Sequence, residues 1–170
     1  MKNVDARTIN MKTGNDCKFM MTKKEKENLY NEARAFYELA ECGRINIPEK
    51  KNVESFIPYI VNMTFATELY LKLLLIDNGK SISEVVKLGH KLSDLYEALN
   101  QAQKDTIYQA FKRPLVFSIP DELKKINTAF VDWRYLVLNK ANNYQRRNQF
   151  SPYFIKEFNE ILETMCKLII

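Results

Sequence analysis

Apolar residues recur every three or four positions along most of this chain, the spacing of one face of an α-helix. Only four glycines and five prolines interrupt that pattern, and strand-like alternation is scarce. The first periodic segment predicts a helix over about residues 23–42. Thr22 and Glu25 are spaced as a capping box before it, and Gly43 follows as a stop signal. The pattern therefore predicts an all-α protein.

The second periodic segment predicts a long helix over about residues 55–78. Pro58 is placed in its first turn, where proline is tolerated, and Gly79 follows its end. The C-terminal half of this helix is apolar on nearly every side, with Glu68 and Lys72 on or beside its apolar stripe. A helix that is apolar all round is normally buried, so we expect it to be the central helix.

Three shorter helices are predicted after it, over about residues 81–88, 91–100 and 103–112. Ser81 and Glu84 are spaced to cap the first of them. Such short elements pack around longer helices and do not form a separate domain.

Two further long helices complete the predicted fold, one over about residues 120–140 and one from Ser151 to the C-terminus. The segment 141–150, rich in Asn and Arg, is predicted as a loop between them. We expect residues 1–21 to form an irregular arm and residues 22–170 to form one domain. The predicted architecture is an antiparallel up-and-down bundle of four to five main helices plus short helices.

Composition narrows the class of protein. A length of 170 residues with 46% hydrophobic residues is typical of one globular domain. No uninterrupted apolar run approaches the length of a membrane span, and no signal-peptide core is visible near the N-terminus. We therefore expect a cytoplasmic protein without a membrane. Three cysteines and one histidine without clustered spacing predict reduced thiols, no metal and no cofactor.

The positive charge is concentrated near the C-terminus. The net charge is +5, and no Asp or Glu occurs from residue 133 to residue 156. A localised basic stretch favours binding to an anion, although a solvated loop is the alternative. Aromatic residues interleave with the cations, a mixture suited to single-stranded RNA. The predicted nucleic-acid-binding residues are Lys140, Tyr144, Arg146 and Arg147, beside Arg134.

Charged residues inside apolar segments predict a polar cluster. Glu68 and Lys72 are four residues apart on the central helix, and His90 and Arg134 lie in two other apolar segments. Because an unpaired buried charge is costly, we expect these four side chains to meet. Structural alternatives remain open: an intrahelical Glu68–Lys72 pair with Lys72 reaching solvent, a structural His90, and an Arg134–Glu68 salt bridge.

Three segments carry a resemblance to a known family: Glu68-Leu-Tyr-Leu-Lys-Leu-Leu-Leu, Gly89-His-Lys-Leu-Ser-Asp-Leu-Tyr, and Phe130-Val-Asp-Trp-Arg-Tyr. In order and spacing they resemble the HEPN superfamily of small helical domains. The resemblance implies a helical bundle, often a homodimer, with an RNA- or nucleotide-linked role. Many members are metal-independent RNases of toxin–antitoxin or phage-defence systems. Their motif is an Arg, a polar residue and, a few positions later, a His.

The chain departs from that motif. Arg134 matches the Arg, but Asn139, Lys140 and Ala141 stand where the His is expected. The leading hypothesis is therefore a catalytically degenerate HEPN-like domain that binds RNA, a nucleotide or a partner protein. One alternative is a metal-independent endoribonuclease, with Arg134 stabilising the phosphorane and His90 as acid or base. Another is a purely structural or antitoxin-like subunit. A nucleotidyltransferase or a toxin or antitoxin is the expected partner.

Overall fold

Helices form the described part of the chain. The computed structural model describes residues 20–45, 53–127, 129–132 and 151–170, and these ranges contain no strand. The predicted all-α class and helical bundle are confirmed. The helices are α1 (Lys23–Ile45), α2 (Val53–Asp77), α3 (Ile82–Lys87), α4 (Leu92–Glu97), α5 (Gln101–Ala110), α6 (Ile119–Lys125), α7 (Ala129–Asp132) and α8 (Pro152–Lys167).

Helix α2 lies at the centre, as its apolar sequence predicts. It contacts α1, α3, α4, α7 and α8. On the α1 side, the ring centroids of Phe36 and Phe65 are 4.4 Å apart and those of Tyr30 and Tyr70 are 6.2 Å apart. Burial of apolar surface on every side of α2 is the main stabilising contribution available to this bundle.

The segment Ile57–Asp77 of α2 is long and apolar enough to cross a membrane. However, 78% of its apolar window is buried inside the protein. The central helix of a soluble bundle meets the same criteria of length and composition, so this helix is weak evidence for a membrane span.

Buried polar contacts hold α8 against α2. The fully buried Asn159 donates from Nδ2 to Thr67 Oγ1 at 2.9 Å and to the Ile155 carbonyl at 2.8 Å. About two turns later, the Cys166 thiol donates to the Tyr70 carbonyl at 3.5 Å. A buried polar group without a hydrogen bond is costly, so these contacts favour one register of the two helices.

Several helix ends differ from the predicted ones. Helix α1 continues through Gly43 to Ile45. A glycine stops a helix by adopting positive φ, as Gly79 does at φ 88° after α2, and Gly43 is not among the positive-φ glycines. Helix α2 begins at Val53, so Pro58 lies inside the helix and not in its first turn. The helices predicted over residues 91–100 and 103–112 also differ from those observed. Asn100 is not the end of the first helix but caps the start of α5 with a capping box, so α5 begins earlier than predicted.

The prediction of one helix over residues 120–140 is wrong. Helix α6 ends at Lys125, Ile126 adopts φ −122° and ψ 14°, and a new helix, α7, begins at Ala129. The break exposes the Asn127 side chain to the start of α4, where its Oδ1 accepts from the Ser93 N–H at 2.7 Å. Residues 133–140 of the predicted helix lie outside the described residues, as does the 141–150 loop.

Candidate functional site

A buried carboxylate on α2 receives two basic side chains. Glu68 Oε1 accepts a hydrogen bond from Lys72 Nζ at 2.6 Å and lies 2.7 Å from His90 Nδ1. The Glu68 side chain is only 3% exposed, whereas Lys72 is 17% exposed and His90 is 63% exposed. The structure therefore brings together three of the four residues expected to meet, with the acid inside and the imidazole at the surface.

Local sequence explains how His90 reaches α2. The preceding helix α3 is fixed by a full capping box, in which Ser81 Oγ accepts from the Glu84 N–H and the Glu84 side chain accepts from the Ser81 N–H. Gly89 then adopts φ 76°, a conformation that glycine favours, and turns the chain towards α4. Leu92 is buried at the start of α4 and holds this turn against the core. The turn leaves the imidazole over Glu68.

The hydrogen bond to Glu68 assigns the imidazole nitrogens. An ionised carboxylate only accepts hydrogen bonds, so His90 Nδ1 carries a proton and donates. Within the described part of the chain, His90 Nε2 has no partner. It accepts a proton when the ring is neutral and donates when the ring is charged. This geometry suits an imidazole that contacts an anion or transfers a proton at the surface.

Lys72 uses the same carboxylate oxygen as His90. The pair is the i, i+4 ion pair expected from the sequence, with Glu first, which is the favourable order. The Lys72 side chain keeps some exposure and its ammonium lies beside the imidazole's carboxylate partner. One buried negative charge therefore anchors two potential cations, which together make the surface attractive to an anion when His90 is protonated.

Residues 133–150 lie outside the described residues, so the structure places neither the predicted catalytic Arg134 nor four predicted nucleic-acid contacts: Lys140, Tyr144, Arg146 and Arg147. The chain just before this segment is placed. The Phe130 ring of α7 stacks on Phe65 of α2, with centroids 4.1 Å apart and planes 12° apart. Phe65 is about one helical turn from Glu68, so Phe130 packs on the side of α2 that carries the cluster.

Two features escaped the sequence prediction. The buried Glu122 pairs with Lys125, and its Oε2 has no hydrogen-bond partner in the part of the chain that the structure describes. In the sequence it reads only as an acidic residue at a helix start. The second feature is a groove of about 700 Å³ between the α5–α6 connection and the first turns of α8. The run Phe111-Lys-Arg-Pro-Leu-Val-Phe117, which mixes aromatic and basic residues, was its only signal in the sequence.

The described residues contain no group of three His, Cys, Asp or Glu side chains that could hold a metal ion. Cys166 is buried, and burial raises the pKa of its thiol, which makes it a poor nucleophile. Comparison with family models, curated proteins and solved structures gives no match to this chain.

Proposed function

We propose that this chain is an RNA-binding, HEPN-like domain in which the buried Glu68 holds His90 and Lys72 at an anion-facing surface. The observation that carries the proposal is the 2.7 Å contact between Glu68 Oε1 and His90 Nδ1. A buried acid that orients an exposed imidazole places the Nε2 atom for contact with a phosphate oxygen.

Helix pairing supports the bundle that the family resemblance implies. Between α1 and α2, Lys26 contacts Asp77 while Phe36 contacts Phe65, so the two helices run in opposite directions. The contacts of α1 with α8 also run in opposite directions. Helices α2 and α8 run in the same direction, as expected in an up-and-down arrangement of two helices that both run opposite to α1.

The basic stretch supplies the remaining contacts in this proposal. Arg134, Lys140, Arg146 and Arg147 would bind phosphates, and Tyr144 would stack on a base. Lys156, the last cation of the stretch, is a weaker candidate because its Nζ lies 2.7 Å from Glu41 Oε2. A cytoplasmic homodimer working in a toxin–antitoxin or defence system, with a nucleotidyltransferase, toxin or antitoxin as partner, belongs to the same proposal.

Salt dependence tests the proposed RNA binding. For single-stranded RNA and the full chain, the logarithm of the binding constant should fall linearly with the logarithm of the salt concentration. The double variant Arg146→Ala and Arg147→Ala should reduce that slope by about 1.4, since each phosphate contact on a single strand contributes about 0.7. Arg34→Ala, an exposed arginine of α1, is the matched control and should leave the slope unchanged. Salt-independent binding, or equal slopes for all three proteins, would contradict the proposal.

Catalysis is the second candidate function, and the Glu68–His90 pair favours it. A carboxylate that orients an imidazole is a common arrangement of a general acid or base. In an endoribonuclease, Arg134 would stabilise the phosphorane and His90 would move the proton. RNA cleavage by purified protein that is lost in both His90→Gln and Arg134→Ala would establish this reading. RNA binding without cleavage would leave the non-catalytic domain, and the absence of both would favour a structural interaction module.

A further inference from the structure

The groove between the α5–α6 connection and α8 has a rigid aromatic floor. Phe154 and Phe158 of α8 are buried and stack with centroids 5.5 Å apart. Phe111 stacks on Phe154 at 5.9 Å with planes 3° apart, and Phe117 meets Phe154 edge-on at 5.6 Å. Phe111 and Phe117 are only partly buried and line the groove. The floor is therefore preorganised by packing and still presents aromatic surface.

The carboxylates of the groove already have partners. Glu157 Oε1 accepts from the Lys112 backbone N–H at 2.8 Å. Glu160 lies 3.5 Å from both Lys112 Nζ and Lys156 Nζ, and Lys156 also binds Glu41. Each carboxylate therefore has a partner, and the two lysines are engaged by Glu160 and Glu41. The remaining cation of the groove, Arg113, is exposed and pairs with none of the described residues.

Tyr153 completes the groove at its rim. Its side chain is 85% exposed although it lies next to the buried Phe154, so it contributes little to the core. An exposed tyrosine, a partly open aromatic floor and an unpaired arginine within one concave surface are the features that bind single-stranded nucleic acid. Bases stack on aromatic rings, and arginine pairs with phosphate or stacks on a base. A volume of about 700 Å³ lies within the range of about 300–1,000 Å³ that is typical of small-molecule binding sites.

We infer that this groove is a base-binding subsite for single-stranded RNA, with a base stacked against Tyr153, Phe111 and Phe117 and a phosphate on Arg113. The inference rests on the proposed RNA-binding function and names a surface separate from the Glu68–His90 cluster. The α5–α6 connection and α8 carry the subsite, whereas α2 and the α3–α4 turn carry the cluster. RNA that occupies both would be held at two places on the bundle.

Affinity measurements on the full chain test the subsite. Binding of a fluorescent oligouridylate should weaken roughly 5- to 150-fold in Tyr153→Ala, the range found for loss of one base–aromatic stack. Tyr153→Phe keeps the ring and should bind within about twofold of the wild type. Arg113→Ala should weaken binding and lower the salt slope by about 0.7. The matched controls are Tyr108→Ala and Arg34→Ala, which remove an exposed tyrosine and an exposed arginine outside the groove.

Photocrosslinking gives a second readout that does not depend on affinity. Thiouridine in the oligonucleotide should crosslink to peptides 111–117 and 151–157, and these crosslinks should persist in Glu68→Gln. The subsite would be overturned, and the proposed function left standing, by either of two results. One is that Tyr153→Ala and Arg113→Ala bind RNA as tightly as the wild type, and the other is that the crosslinks fall elsewhere. Failure of the wild type to bind RNA would overturn both. Self-association lost in Tyr153→Ala with RNA binding unchanged would reassign the groove to a protein contact and overturn the subsite.

Discussion

At the scale of single residues, Glu68 organises the candidate site. Its carboxylate is buried in the central helix and is satisfied by Lys72 and His90 through one oxygen. Removing one partner of a buried ion pair typically costs about 3–5 kcal/mol, because the other charge is left uncompensated. Here two partners share the acid, so loss of either one is partly offset by the other.

A double-mutant cycle measures this coupling. We expect Glu68→Gln and Lys72→Met to interact by about 0.5–3 kcal/mol in urea unfolding, the range for groups in one network. The exposed pair Glu38 and Arg34 has the same spacing on α1, and its cycle should give a much smaller value. Equal coupling in the two cycles would show that Glu68 and Lys72 behave as a surface pair.

Tyr70 presents the opposite situation, a buried hydroxyl to which none of the described residues makes a hydrogen bond. Burial is the main cause of the raised pKa of this phenol, and the negative charge of the nearby Glu163 raises it further. Because the hydroxyl has lost water and gained no partner, Tyr70→Phe should leave the free energy of unfolding unchanged or raise it by up to about 1 kcal/mol. Thermal or urea unfolding checks this. A loss above about 1 kcal/mol would reveal a hydrogen bond to the hydroxyl.

At the scale of elements, the break between α6 and α7 serves the start of α4. The N-cap residue of α4 is Lys91, which makes no side-chain capping bond. Asn127 replaces that cap from another element, accepting from the Ser93 N–H and donating from Nδ2 to Ser93 Oγ at 2.9 Å. Helix N-termini need such acceptors because their first N–H groups lack intrahelical partners.

Substitution of Asn127 tests this cap. Asn127→Ala should destabilise the protein by about 1–2 kcal/mol, the usual cost of losing a helix cap. Asn127→Asp keeps an oxygen for the Ser93 N–H and adds a negative charge at a helix N-terminus, so it should cost less. Urea unfolding at neutral pH measures both. Equal losses for the two variants would mean that the cap contributes little.

At the scale of the whole molecule, the bundle keeps several weak acids protonated. Burial is the first cause of the raised pKa of Tyr30, Tyr96 and the Cys166 thiol, and neighbouring carboxylates add to it. These groups ionise more readily in the unfolded chain, where a thiol has a pKa of about 8.5 and a phenol about 10. The folded state therefore binds more protons than the unfolded state at alkaline pH.

Stability should consequently fall as pH rises. The stabilisation from these groups is complete below the unfolded pKa values and is lost as pH rises above them, at about 1.4 kcal/mol per pH unit for each group. Urea unfolding from about pH 7.5 to pH 10.5 should show a decline that begins near pH 8.5. Cys166→Ala should delay the onset towards pH 10, whatever its effect at neutral pH. An unchanged onset would remove the thiol from this account.

Much of the fold follows from local sequence. The helical periodicity gave the all-α class and the central position of α2, and the capping signals at Ser81 and Ser151 gave the starts of α3 and α8. These predictions succeed because a cap and an apolar stripe act within one helix. The Glu68–Lys72 pair also follows from spacing alone, since residues four apart share a helix face.

The sequence by itself thus determined the helical class, the central position of α2, the starts of α3 and α8, and one ion pair. Only the tertiary structure decided that His90 joins Glu68, that the helix breaks at Ile126 so that Asn127 can cap α4, and that Phe111 meets Phe154 in a groove. Each of these contacts joins residues more than twenty positions apart. Their free energy depends on how separate helices pack, and no local pattern along the chain records that packing.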